Sequence, residues 1–400
     1  MSNVQNEELV KKAVIVADDL ATNGKLNNKQ SDKFIDYVVD ETVLKDNARI
    51  VRFTNETMDI DKIGIGSRAA VPKSEAKDPG VRRGISTSKI SLTPREIMVP
   101  VEIGDNFSEI NLEGASVEDH IIQMFAKQLA NDIEELYIMG NLLGPAALED
   151  DIYPGGSETQ YIKDSYLALQ NGWLESAEGG NLYNALGTNI GTSVFGAMLR
   201  QMPTKFRRNK AALRWLMSPD LAQLYTERLS TRATAAGDAA IAGSRITPFG
   251  VPIVECPLLD LTPKVVEHVT LSGTTAVALK NLNISDVVVT PATLGSTPTT
   301  KYVDTTDYVI ASTATADTIV RDAGGSISDG EVVKVTYSAK PQCILTHMNN
   351  LIVGIGRDIR IEKDRDIFAG VNQYAITAKV SVNYEELSAL VKGKNIGDGV

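Results

Sequence analysis

The chain has 400 residues, 43% of them apolar and 23% charged, ordinary proportions for a sequence that buries a sizeable core. Fifty-one acidic residues against 40 basic ones give a formal net charge of −11, which excludes a protein built mainly to neutralise nucleic-acid phosphates. Two cysteines, Cys256 and Cys343, are too few for a disulfide framework, and no apolar run approaches the length of a membrane span.

The length predicts two or three domains. The first apolar run, Ala13–Ala17, is shorter than a secretory core and is followed by Asp18 and Asp19, so an intracellular product is expected. Residues 7–20 and Asn28–Thr42 read as two short helices separated at Asn23-Gly24. An arm of that size cannot build its own core and must dock elsewhere. From Arg49 the pattern turns to β. Arg49–Phe53 and Ser88–Val101 flank a polar centre with Gly64, Gly66, Pro72, Pro79 and Gly80, which predicts a long two-stranded excursion. A lone hairpin is marginal in water, so it is expected to lean on a neighbour.

Ser116–Asn141 is the longest periodic stretch. Val117, Ile121, Phe125, Leu129 and Ile133 recur every fourth position, with Met124 and Leu136 widening the stripe. Ser116 reads as an N-cap with Asp119 closing a capping box, and Gly140 as a left-handed stop. The helix would be about 36 Å long. Glu134 and Glu135 oppose the dipole at its C-terminal end, so packing or a partner is expected there.

Gly144-Pro145 and Tyr153–Gly156 are loop signals, Thr192–Met202 a helix, and Leu213–Met217 a buried strand. Ser218-Pro219 opens a helix through Leu229. Residues 230–244 read as mobile, and Ile246–Leu258 as a strand with turn residues around Phe249-Gly250. Residues 262–340 are rich in Thr, Ser and Val without helical period. Short strands are predicted at Val287–Thr290, Tyr308–Ala311, Ile319–Arg321 and Glu331–Tyr337, with a hairpin at Asp329-Gly330. Apolar strands return at Ile344–Arg360 and Val371–Tyr384, so the β unit reads as an insertion. Cys256 and Cys343, at its two ends, are then expected as buried, unbonded thiols within roughly 10 Å of each other on paired strands. Arg357–Asp366 alternates charge around Ile359 and Ile361, which predicts a strand with one solvated, ion-paired face.

No catalytic, cofactor or metal constellation stands out. His120, His268 and His347 lie apart, and Gly64-Ile65-Gly66 lacks the rest of a phosphate loop. The cluster Lys205, Arg207, Arg208, Lys210 and Arg214 is the best nucleic-acid candidate, but an ion-pair role within or between subunits outweighs it in an acidic chain.

The order of parts resembles the major capsid proteins of tailed bacteriophages, with an HK97-like fold of α+β class. Gly24–Leu26 through Phe34–Asp36 and Ile63–Arg68 resemble the N-terminal arm and the entry to the extended loop. Ser91–Gly104 followed by Ser116–Asn141 resembles the return strand and spine helix. Pro203, Phe206, Arg207, Asn209, Trp215 and Met217, then Phe249–Ile253, resemble the axial domain. Leu351–Gly356 and Ile359–Ile361 resemble the closing strands. The inserted unit resembles immunoglobulin-like modules carried by some capsid proteins.

The resemblance implies an N-terminal arm at 1–50 and an extended β-hairpin loop at 51–97. A peripheral domain follows at 98–150 and 345–400, with its spine helix at 116–140. An axial domain at 151–261 takes closing strands from 341–360, and an inserted β-domain occupies 262–340. It implies hexamers and pentamers of a shell around double-stranded DNA, contacted non-specifically, with no membrane and no enzyme activity. About fifty residues precede the loop, so the resemblance implies a separate scaffolding protein or none, besides a portal and a decoration protein. Lys73, Lys77, Arg82 and Arg83 at the loop's far end are candidate inter-subunit cations. Glu134, Glu135, Asp150 and Asp151 are candidate partners, and Arg207 and Arg208 complete the contact set. Alternatives are an encapsulin-like compartment, a β-rich surface adhesin and an enzyme.

Overall fold

The computed structural model describes residues 14–15, 48–54, 57–64, 70, 84, 86–104, 116–152, 155, 157–231 and 247–398. The chain opens with β1 (Val14–Ile15), β2 (Arg49–Arg52), β3 (Met58–Gly64), β4 (Ser86–Leu92) and β5 (Arg95–Gly104), then helix α1 (Ser116–Met139). Strands β6 (Ala146–Leu148), β7 (Gln160–Lys163) and β8 (Asn181–Asn184) lead to α2 (Thr192–Gln201), β9 (Leu213–Met217), α3 (Pro219–Ser230) and β10 (Ile253–Glu255). Seven strands follow: β11 (Lys264–Leu271), β12 (Val277–Ala278), β13 (Ser285–Pro291), β14 (Thr299–Thr300), β15 (Tyr308–Ser312), β16 (Asp317–Arg321) and β17 (Glu331–Ser338). The chain closes through β18 (Cys343–His347), β19 (Leu351–Asp366), β20 (Val371–Tyr384) and β21 (Val391–Lys394).

One five-stranded sheet has the order β1-β5-β20-β19-β2. Helix α1 lies on it, and the apolar stripe of the sequence does the joining. Leu129, Ile133 and Leu136 share a core with Ile97, Val101 and Ile103 of β5 and Tyr374 and Ile376 of β20. Each such side chain contributes about 1.5–3 kcal/mol on burial. In the C-terminal half of α1, Ile133, Leu136, Tyr137 and Ile138 are buried: Tyr137 meets Trp173 at 5.8 Å between ring centroids with the rings tilted by 56°, and Tyr384 Oη donates to the Trp173 carbonyl at 3.0 Å. Packing therefore holds the end that the dipole disfavours. The Ser116–His120 side chains, and with them the proposed capping box, lie outside the described residues.

Gly140 ends α1 for a different reason from the one expected. Its φ is not positive. A Cβ there would sit 2.5 Å from the Gln170 carbonyl oxygen, and one at Gly172 would sit 2.7 Å from that of Ile138. Two glycines let the backbone cross itself closely, and Gly172 N donates to Gly140 O at 2.7 Å.

A second five-stranded sheet, β10-β9-β18-β21-β8, carries α2 and α3 on one face. Phe195 of α2 meets Trp215 and Tyr225 at 4.7 and 4.9 Å. Ser218 caps α3, its Oγ accepting from Leu221 N at 3.2 Å with Pro219 in the first turn. The two cysteines are free and buried. Their strands do not pair directly: β9 lies between β10 and β18, about two strand spacings across the pair.

Strands β11-β17-β13 and β12-β16-β15 form two three-stranded sheets around one core containing Val269, Val289, Tyr308, Ile319, Val333 and Val335. Strand β11 was not read from the sequence. Asp329-Gly330 is not a hairpin turn. It carries the chain from one sheet to the other, where β17 pairs with β11 and β13. The expected solvent face of β17 is also corrected: Lys334 and Thr336 are 1% and 5% exposed, because Leu143 and Ala146 cover them. The expected helix at 7–20 is corrected at Val14–Ile15, which pairs parallel with Glu102–Ile103. The remainder of that arm, the second arm helix and almost all of residues 230–244 lie outside the described residues.

Candidate interaction surfaces

Extended strand β3 pairs with β4 from Met58↔Leu92 to Gly64↔Ser86. Strand β2, expected in this ribbon, pairs with β19 instead, parallel, from Arg49↔Ile352. The base of the ribbon rests on its own chain. Ile90 and Leu92 are buried with Ile352, and Lys62 Nζ meets Glu386 at 3.3 Å. Lys73, Lys77, Arg82 and Arg83 lie outside the described residues.

The outer half of the β19–β20 ribbon is different. From Arg357 to Arg365 β19 pairs only with β20, since β2 stops opposite Ile355. The expected single solvated face becomes two: Ile359 and Ile361 are exposed along with the charges. Ion pairs Arg52–Asp358 at 3.4 Å, Arg360–Glu362 at 2.9 Å and Arg357–Glu96 lace this surface. All are solvated, worth about 0–1 kcal/mol each. At the tip Asp366 Oδ1 accepts from Phe368 N and Ala369 N at 2.9 and 3.1 Å, and Gly370 takes φ +64. This built turn holds Ile367 at 80% and Phe368 at 103% exposure. Sequence reading passed over both residues; the signal was Asp366-Ile367-Phe368-Ala369-Gly370, an apolar pair inside turn chemistry.

The expected acidic partners on α1 separate. Glu134 is 2% exposed inside its own chain, which corrects its candidacy as a contact for a neighbour's cation. Glu135 is half-buried, and burial, with Asp132 and Asp164 nearby, pushes its carboxyl up from the ordinary range. Asp150 is exposed and accepts from Gly155 N at 2.8 Å; of the Asp151 side chain nothing is described. Arg208 is exposed, while Arg207 is half-buried and donates to the Leu199 carbonyl at 3.1 Å.

Two lysines, one on β21 and one just after β12, reach the segment between β7 and β8. Lys392 Nζ, nearly buried, donates to Glu178 at 2.5 Å and to the Leu174 carbonyl at 2.9 Å; Lys280 reaches Glu175 at 3.8 Å. Burial raises the Glu178 carboxyl, but Lys392, Lys394 and Lys280 outweigh it and hold the group below the usual range. Among the described residues no three of His, Cys, Asp or Glu come together as a metal site, and no helix is long and apolar enough to cross a membrane.

No family model matches the sequence. The "Putative prophage capsid protein YqbE" of Bacillus subtilis (strain 168) is 26% identical over 391 residues, covering 97% of this chain and 98% of that one. The capsid of a native GTA particle superposes with TM-score 0.50 at 11% identity, over 96% of this chain and 100% of the other. The capsid of Myoviridae Phage XM1 gives the same TM-score and identity over 95% and 98%. This is an HK97-like capsid fold. The names these proteins carry are those of capsids and a capsid protein.

Proposed function

We propose that the chain is a major capsid protein that assembles as hexamers and pentamers into the icosahedral shell enclosing the double-stranded DNA of a tailed phage. The observation that carries this is the outer β19–β20 ribbon. On a capsid fold, it presents Ile359, Ile361, Ile367 and Phe368 to solvent with no part of the described chain over them. Two-stranded ribbons are marginal alone, and exposed apolar patches mark contacts. The proposed layout keeps the arm, extended loop, peripheral, axial and inserted segments at the boundaries given above, the last as an immunoglobulin-like module. Arg82 and Arg83, with Lys73 and Lys77, would bring the loop to a neighbour's carboxylates. The net charge of −11 favours DNA confined rather than gripped. A separate scaffold, a portal and a decoration protein would complete a virion assembled in the host cytoplasm.

Negative-stain microscopy of the purified, overexpressed chain tests this. Closed shells or capsomers are expected; a discrete monomer at high concentration overturns the reading. Arg82→Glu with Arg83→Glu should leave a folded monomer that no longer assembles, and normal shells from that variant would remove the loop's electrostatic role.

A further inference from the structure

Helix α2 and the turns beside it border a groove of about 400 Å3. Arg200, Arg207 and Lys210 line it, with the Thr192 and Ser193 hydroxyls and the ring of Phe249. Among the described residues none of the three cations is ion-paired with a carboxylate; Arg207 spends one amine on the Leu199 carbonyl, which fixes its position. Three cations with no counterion among the described residues stand out in a chain with 51 acidic residues against 40 basic ones.

The apolar wall is also unusual. Phe249 sits at φ +55, a conformation that a bulky residue adopts only against strain, yet it is 48% exposed and gains little from its own chain. Its ring lies over Gly196, where an added Cβ would be 3.5 Å away, an ordinary contact. Glycine is a poor helix former, and nothing steric in the described structure requires it there. Its bare surface deepens the groove beside Phe249.

We propose that this groove docks an acidic surface segment of a second copy of the chain. The partner's carboxylates pair with Arg200, Arg207 and Lys210, and an apolar side chain packs on Phe249. The proposal rests on the shell reading, which sets many copies of an acidic chain side by side. DNA fits the groove poorly. A cavity of this volume admits a few side chains, whereas a duplex, whose major groove alone is about 12 Å wide, can only lie across the rim.

Arg200→Glu with Lys210→Glu, both at exposed positions, is the test. Sedimentation velocity at physiological salt should show the fraction in capsomers or larger particles falling at least about tenfold, with an unchanged melting temperature. Arg200→Gln with Lys210→Gln should give an intermediate loss, and carries the test if the glutamate pair unfolds the chain. Wild-type assembly with unaffected variants sinks the groove proposal alone. Variants that assemble normally but lose a gel shift of a short DNA duplex assign the groove to nucleic acid and overturn it too. A wild type that stays monomeric removes the shell reading and this proposal together.

Discussion

Two buried lysines show how single residues join parts of the chain that are far apart in sequence. Lys392 is compensated by Glu178. Glu178→Gln would remove the carboxylate that the buried Lys392 ammonium touches, leaving it the Leu174 carbonyl and the more distant Glu175, so a loss of about 3 kcal/mol or more is expected by chemical denaturation. Because Glu178 is held below its ordinary pKa, its contribution is complete above the unfolded carboxylate range and fades as pH falls through the folded value. The variant should lack that part of the acid loss. Among the described residues Lys334 has no carboxylate in hydrogen-bond contact; it donates to the Leu143 carbonyl, and burial beside Lys163 lowers its pKa to about 8. Between about 8 and the ordinary 10.5 the unfolded chain holds a proton that the folded chain has shed, so stability from this group rises with pH. Buried thiols and tyrosines act oppositely, above pH 9 and 10. The clean measurement is therefore a difference. The melting temperature of wild type relative to Lys334→Met should climb from pH 7.5 to 9, and a flat difference would mean that the lysine is solvated. Neither lysine was legible as buried in the sequence, where each alternates with apolar residues as solvent-facing lysines do.

Secondary elements divide by whether their partners are local. The spine helix was legible because its stripe spans six turns, and β9 with α3 because an apolar run abuts Ser218-Pro219. The ribbons were misread where pairing is distant. Arg49–Arg52 finds its partner some three hundred residues away on β19 (Arg49↔Ile352), and β17 pairs with β11 rather than across Asp329-Gly330. Alternation announces a strand but not its neighbour. Nor does it tell one covered face from none, which is why the outer half of β19 was expected to bury Ile359 and Ile361. Its tip gives a test. Ile367→Ser with Phe368→Ser removes exposed apolar surface while keeping the Asp366 turn, so the melting temperature should stay within experimental error. Assembly should weaken, seen as a raised protein concentration for particle formation by light scattering. Unchanged assembly would leave the exposed tip without a role in the shell.

At the scale of the molecule, the strands from β11 to β17 leave and rejoin the chain at one point. Ala339 N donates to Pro263 O at 2.9 Å. Elsewhere the unit is sewn in: β14 extends the β6–β7 sheet, and Leu282 N donates to Asn395 Oδ1 at 3.0 Å. Replacing Pro263–Ala339 by a short Gly/Ser linker should therefore give soluble, folded protein whose melting temperature is lower by several degrees, checked by calorimetry. Insoluble protein would show that the seam is part of the host core. The boundaries of this unit could be guessed from a shift in composition; the seam could not, because its partners at Leu143, Tyr161 and Asn395 are scattered along the chain. That closure, continued by the pairing of β11 with β17 from Lys264↔Ser338, also bears on how the chain reaches its native state. Strands β9 and β18 must find each other across a gap of well over a hundred residues, much of it the inserted strands. If those strands condense first, their joined ends shorten the stretch between β10 and β18 from about ninety flexible residues to about ten, saving roughly 2 kcal/mol of loop-closure entropy. The inserted strands would then act as a folding clamp, speeding the slow, non-local pairing of the axial sheet.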